Sequence, residues 1–146
     1  MTFKFSYQKI LDVKQIQEDQ KSLEVVSAQN ELEKEKDELS ELEKEKLFTL
    51  KNSENNSQNS LDLMRKNSFI NSFNQNIDKQ KLRIKKTKEI LSSKKDELLN
   101  ASKSRKIMDK LKESHLKKFN IEQNRIEQNQ IDEIGANIAL KNKGNR

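Results

Sequence analysis

Ile70, Ile77, Ile84, Leu91 and Leu98 stand seven residues apart, five in succession. Seven residues return a side chain to the same side of an α-helix after two turns, whereas side chains in a strand alternate every two. In a chain that is only 31% hydrophobic, such a run is a poor candidate for chance. Phe73, Ala101 and Met108 fill the companion position of the same seam, and Gln80, Thr87 and Lys94 interrupt it. The spacing predicts a helix over about 61–140 that lays one stripe against another helix.

The chain supplies a candidate for that other helix. Val25, Leu32 and Leu39 are also seven apart, with Ala28 and Leu42 at the companion position and Glu35 between them. Together they predict a helix over about 3–51. Upstream, Ile10, Val13, Ile16 and Leu23 continue an apolar stripe on a slightly rotated phase, which reads as a heptad stutter or a change of packing partner. Between the two segments lies KNSENNSQNS, with no apolar residue. Asn and Ser side chains compete for backbone hydrogen bonds and favour turns, so a turn is expected over about 52–60. The tail, 141–146, should fray.

Charge selects how the helices pair. Residues 1–50 hold 8 Lys and 12 Asp/Glu, a net of −4, while residues 79–118 hold 15 Lys/Arg and 5 Asp/Glu, a net of +10. Folding back at the turn sets the acidic ELEKEKDELSELEKEK beside the basic DKQKLRIKKTKEILSSKK. Each exposed ion pair contributes only ~0.2–1 kcal/mol, but a row of them disfavours wrong partners. The expected fold is therefore all-α: one domain over 1–146, a long antiparallel two-helix coiled coil with a C-terminal helix overhang. At ~1.5 Å per residue the first helix spans roughly 75 Å and the second ~110–120 Å. The overhang is about 119–140 and carries Ile121, Ile126, Ile131, Ile134 and Ile138. A lone helix of this kind is marginal in water, so the stripe points to a partner.

Several classes of chemistry lack their residues. The chain has 0 Cys and 0 Pro, and its 2 Gly are Gly135 and Gly144. Thiolate metal sites, disulfides, Gly-rich phosphate loops and turn-rich β folds are excluded. The one histidine, His115, falls near the seam beside Met108 and Lys112, where a structural role is expected. No metal, cofactor or catalytic residue is expected. The start, MTFKFSYQKILDVKQ, lacks a signal-peptide core, and no stretch approaches the ~18–20 apolar residues of a membrane span. An intracellular protein without membrane insertion is expected. The formal net charge of +6 keeps open nucleic acid, anionic lipid or an acidic protein partner; no aromatic platform accompanies the basic block, and nucleic acid is not expected to bind. Phe48, Phe69 and Phe73, with Leu42 and Leu47, flank the turn. They either close the hairpin tip or offer a patch to a partner. Phe3, Phe5 and Tyr7 pose the same alternative at the other end.

FKFSYQKILDVKQIQED, KDELLNASKSRKIMDKLKESHLKKF and RIEQNQIDEIGANIA, in that order along the chain, resemble stretches of the bacterial flagellar export protein FliJ family. FKFSYQKILDVKQIQED is similar to the family's N-terminal pattern at Phe3, Phe5, Ile10, Leu11, Asp12, Val13 and Lys14. KDELLNASKSRKIMDKLKESHLKKF resembles its middle run at Leu98, Ala101, Arg105, Lys106, Asp109, Leu111, Lys112 and Glu113. RIEQNQIDEIGANIA resembles its terminal run at Arg125, Glu127, Gln128, Asp132 and Glu133, with Gly135 in place of the usual Ala. The resemblance implies a non-enzymatic type III export component, similar in architecture to the central stalk of rotary ATPases. It would work in the cytoplasm, peripherally at the membrane at the flagellar base. Its implied partners are the hexameric export ATPase, the export gate membrane protein and substrate-specific chaperones; alone it would be a monomer. By this analogy Phe3, Phe5, Tyr7, Ile10, Ile126, Ile131, Asp132, Glu133 and Ile134 would face the ATPase. Leu42, Phe48, Phe69 and Phe73 would face the gate. The other readings are a coiled-coil scaffold or homodimer unrelated to export, and a basic helix associated with nucleic acid.

Overall fold

The computed structural model describes residues 1–54 and 59–145. Two helices account for almost all of them: α1, Gln8–Glu54, and α2, Ser60–Gly144. No strand occurs among the described residues. Contacts group the chain into two compact units, Glu18–Ala101 and Met1–Gln17 with Ser102–Arg146. In each of them α1 and α2 pack antiparallel, as the charge pattern predicts.

In the unit Glu18–Ala101 the heptad stripe is the core. Leu32, Ile84 and Leu91 are buried together, with Val25, Ala28 and Leu39 packed against them. Ile77 is buried as well, and Ile70 and Leu98 at the ends of the run are half-buried. The polar interruptions are bonded across the seam. Gln80, 4% exposed, donates from Nε2 to the Glu35 carbonyl at 2.8 Å. The buried Thr87 hydroxyl donates to the Glu35 carboxylate at 2.7 Å. One α1 residue thus satisfies two α2 side chains that would otherwise be costly to bury.

A ring of four alternating charges follows. Lys21 Nζ lies 3.1 Å from Glu97, Lys94 Nζ lies 3.1 Å from Glu24, and the remaining edges measure 3.5 and 3.6 Å. The hydrogen bond from Lys94 holds the Glu24 carboxyl below its ordinary value, and the one from Lys21 does the same for Glu97. Lys21 is raised, chiefly by its hydrogen bond to Glu97.

The predicted stutter does not occur. Counting back by sevens from Val25 and Ala28 gives Lys21, Glu18, Lys14 and Leu11, and these are the residues turned inward. Leu23 is 69% exposed, and Ile10, Val13 and Ile16 are exposed too. The reason is the partner. α2 presents Lys94 and Glu97 opposite this part of α1, so Lys21 and Glu24 make bonds there that Leu23 could not.

In the unit Met1–Gln17 with Ser102–Arg146, the seam becomes aromatic. α1 begins at Gln8 rather than near Phe3. Phe3 and Phe5 are two residues apart, so a helix would turn their rings to opposite sides. Outside the helix both reach α2: Phe3 stacks on Phe119 with ring centroids 5.5 Å apart, and Phe5 on His115 at 5.5 Å. The chain then turns, with the Gln8 amide donating to the Phe5 carbonyl at 3.1 Å and the Leu11 amide to Tyr7 at 3.0 Å. Lys112 donates to the Gln8 side chain at 2.8 Å, one step further along the pairing.

The remaining helix ends follow ordinary rules. The Asn59 carbonyl accepts from the Leu63 amide, and Asp62 in the first turn of α2 complements its dipole. Lys141 and Lys143 do the same at the far end. α2 therefore continues through Lys141 to Gly144, beyond the predicted end near residue 140. The turn predicted over 52–60 falls partly on residues 55–58, outside the described residues.

Candidate functional sites

The residues singled out from sequence fall into two groups, one in each unit. The first group lies in the unit Met1–Gln17 with Ser102–Arg146. Phe5 is buried, and Phe3 is half-buried against Phe119, so both rings serve the packing of the unit. Tyr7 and Ile10 are exposed. Tyr7 stands by the half-buried His115, 6.3 Å between ring centroids, and against Phe5 at 5.8 Å. Phe119, which the sequence assigns to the overhang, belongs to the paired part.

Past Gln123 every described residue of α2 is exposed. Ile131 and Ile134 are 61% and 59% exposed, and Ile126 and Ile138 also face solvent. Their polar neighbours bond within the helix: Arg125 to Glu122 at 2.8 Å and Gln128 to Asp132 at 3.0 Å. Such i,i+3 and i,i+4 bonds stabilise a solvated helix modestly, by ~0.2–0.5 kcal/mol each. They leave the aliphatic residues uncovered. Asp132 and Glu133 add negative charge beside Ile131 and Ile134.

The second group lies in the unit Glu18–Ala101. Phe69 and Phe73 stack edge-on at 5.4 Å, and Phe48 from α1 joins them in lining a shallow groove with Lys44, Glu45 and Thr49. Phe48 and Phe69 are exposed, while Leu42 and Phe73 are half-buried. Sequence reasoning missed the width of this patch. Leu61 and Met64 line a second groove with Phe69, and both are exposed. Their signal was their phase: they follow the Asn/Ser stretch off the heptad count, where an aliphatic side chain has no seam to enter.

Neither group gathers groups suited to bond-making chemistry. Among the described residues no cluster of His, Asp or Glu could hold a metal ion. Nor, among the described residues, is any helix long and apolar enough to cross a membrane. What the fold defines is an antiparallel helical coiled coil that offers exposed apolar patches along its helices. The chain belongs to the FliJ family: the family described as "Flagellar FliJ protein" matches residues 3–144. No curated protein and no solved structure gives a significant match. Membership makes the chain a component of flagellar protein export, associated with the export apparatus.

Proposed function

We propose that this chain promotes the assembly and activity of the hexameric export ATPase, contacts the export gate in the membrane, and handles empty substrate-specific chaperones, without catalysing a reaction itself. It would do so in the cytoplasm, peripherally at the membrane of the flagellar base. The observation that carries this reading is the end of α2. Residues 124–143 form a helix whose isoleucines no part of its unit covers. A helix so poor in packing is retained at a cost in solubility unless a partner covers it. Membership of a flagellar export family supports the ATPase as that partner. The exposed members of the ATPase-facing set are Tyr7, Ile10, Ile126, Ile131, Asp132, Glu133 and Ile134. Phe48, Phe69 and the half-buried Phe73 of the same groove, with Leu42 on a separate groove beside Gln80, form the set for the gate.

The test is truncation after Gln123, assayed with the purified export ATPase. The cut keeps Phe119 on Phe3, so the paired helices remain. Loss of stimulation with the rest still helical is expected. Stimulation equal to that of the full chain would sink this assignment of the ring-facing element.

A further inference from the structure

Between residues 79 and 88, α2 carries six cations and no carboxylate: Lys79, Lys81, Arg83, Lys85, Lys86 and Lys88. All six are exposed, and among the described residues none reaches a carboxylate at ion-pair distance. The acidic block of α1 in the same unit therefore makes no direct ion pair with this stretch. Lys79 and Arg83 share an interhelical groove with Glu38, Glu41 and Glu45, but Lys85 and Lys86 lie by the heptad count on the side of α2 away from α1. Two aliphatic residues stand among these charges. Leu82 is 54% exposed and Ile90 is 53% exposed. Leu82, Lys86 and Ile90 succeed one another at four-residue spacing, which sets them along a single line of the helix.

We propose that this face of α2 docks on an anionic lipid surface, lying on the headgroups without crossing them. Four features select that occupant. Lysine stems can lie along the headgroup region while their ammonium groups reach lipid phosphates. Leu82 and Ile90 gain from the acyl boundary but find nothing on the phosphate ribbon of a nucleic acid. No aromatic residue lies between residues 79 and 95 to stack on a base. Lys85 and Lys86, on the side of α2 away from α1, can meet a fluid headgroup layer without the matching concave surface that an acidic protein would need. The proposal does not depend on the ATPase or the gate.

The test is flotation of the full chain with phosphatidylglycerol-containing vesicles and with neutral phosphatidylcholine vesicles. Each lysine near an anionic surface changes partitioning about fivefold. Binding to the anionic vesicles alone, weakened by salt, is expected. The double substitution Lys85→Glu with Lys86→Glu should lower it at least tenfold while the helix signal stays unchanged, since both side chains are exposed. The same reversal at the exposed Lys103 and Lys106 should have a much smaller effect. Leu82→Ser with Ile90→Ser should weaken vesicle binding severalfold and leave binding to a DNA duplex unaltered. Equal binding to neutral vesicles, no binding to either, tighter binding to the duplex than to the anionic vesicles, or equal loss from the two lysine pairs would each overturn the proposal.

Discussion

Glu35 shows why one side chain can decide a register. It sits where an aliphatic residue would continue the α1 stripe, yet its carbonyl and carboxylate accept from Gln80 and Thr87. A one-heptad slip would take the buried Thr87 hydroxyl away from the Glu35 carboxylate, whereas the main-chain carbonyl that Gln80 uses is supplied by any residue. Glu35→Ala should therefore cost about 1–2 kcal/mol, because the buried Thr87 hydroxyl loses its acceptor. Glu35→Gln, which keeps an acceptor, should cost less. Urea denaturation of the two variants distinguishes them; equal losses would mean that the Thr87 bond contributes nothing. Gly135 offers the opposite case. It lies within α2, and a Cβ there meets nothing within 4 Å. Gly135→Ala should favour the helix locally by ~1 kcal/mol. Slower amide exchange around residue 135 is the expected readout.

At the scale of the elements, the heptad phase of α2 was legible because five aliphatic residues repeat it. Ile84 and Leu91 are buried, while Lys86 and Ser92 are exposed. Ile84→Asp should cost several kcal/mol, since it removes about 1.5–3 kcal/mol of apolar burial and strands a charge. Lys86→Asp should stay within roughly 0.5 kcal/mol. Thermal melts with equal losses would contradict the register. The inward face of the first half of α1 is not legible from hydrophobicity alone, because part of it is charged. Lys21 and Glu24 are inward by their bonds to α2, and a charge in a seam cannot be told from a solvated one until its partner is known. The start of α1 is hidden in the sequence for a related reason: the contacts of Phe3 with Phe119 and of Phe5 with His115 are tertiary. The charge ring also predicts a pH response. Glu24 and Glu97 are depressed, so their contribution is present at neutral pH and lost as pH falls through and below the ordinary carboxylate value, about 4. Lys21 is raised, so its contribution persists to the ordinary lysine value, about 10.4, and is lost only above it. The urea midpoint should be flat between these limits. Glu24→Gln with Glu97→Gln should reduce the acid-side loss; an unchanged acid limb would show that the ring does not stabilise the unit.

For the whole molecule, the two candidate sites belong to different units, so mutation should separate their functions. Phe48→Ala with Phe69→Ala removes exposed rings and should leave ATPase stimulation intact while impairing the proposed contact with the gate. Truncation after Gln123 should do the reverse. The end of α2 also implies a stoichiometry. Its uncovered isoleucines, Ile126, Ile131, Ile134 and Ile138, lie on a single helix, and one helix cannot offer six equivalent surfaces to six subunits. A ring partner would instead surround it, each subunit making a small and different contact. A chain that binds only the assembled ring shifts the equilibrium from free subunits to rings by mass action, in proportion to that differential affinity. Stimulation should then saturate near one chain per ring, well below one per ATPase subunit. It should also be strongest at low ATPase concentration, where free subunits predominate, and fade where rings form unaided. Titration of the chain against the ATPase at two enzyme concentrations tests both. Saturation at one chain per subunit, with the same gain at each concentration, would indicate a ligand of single subunits and not of the ring.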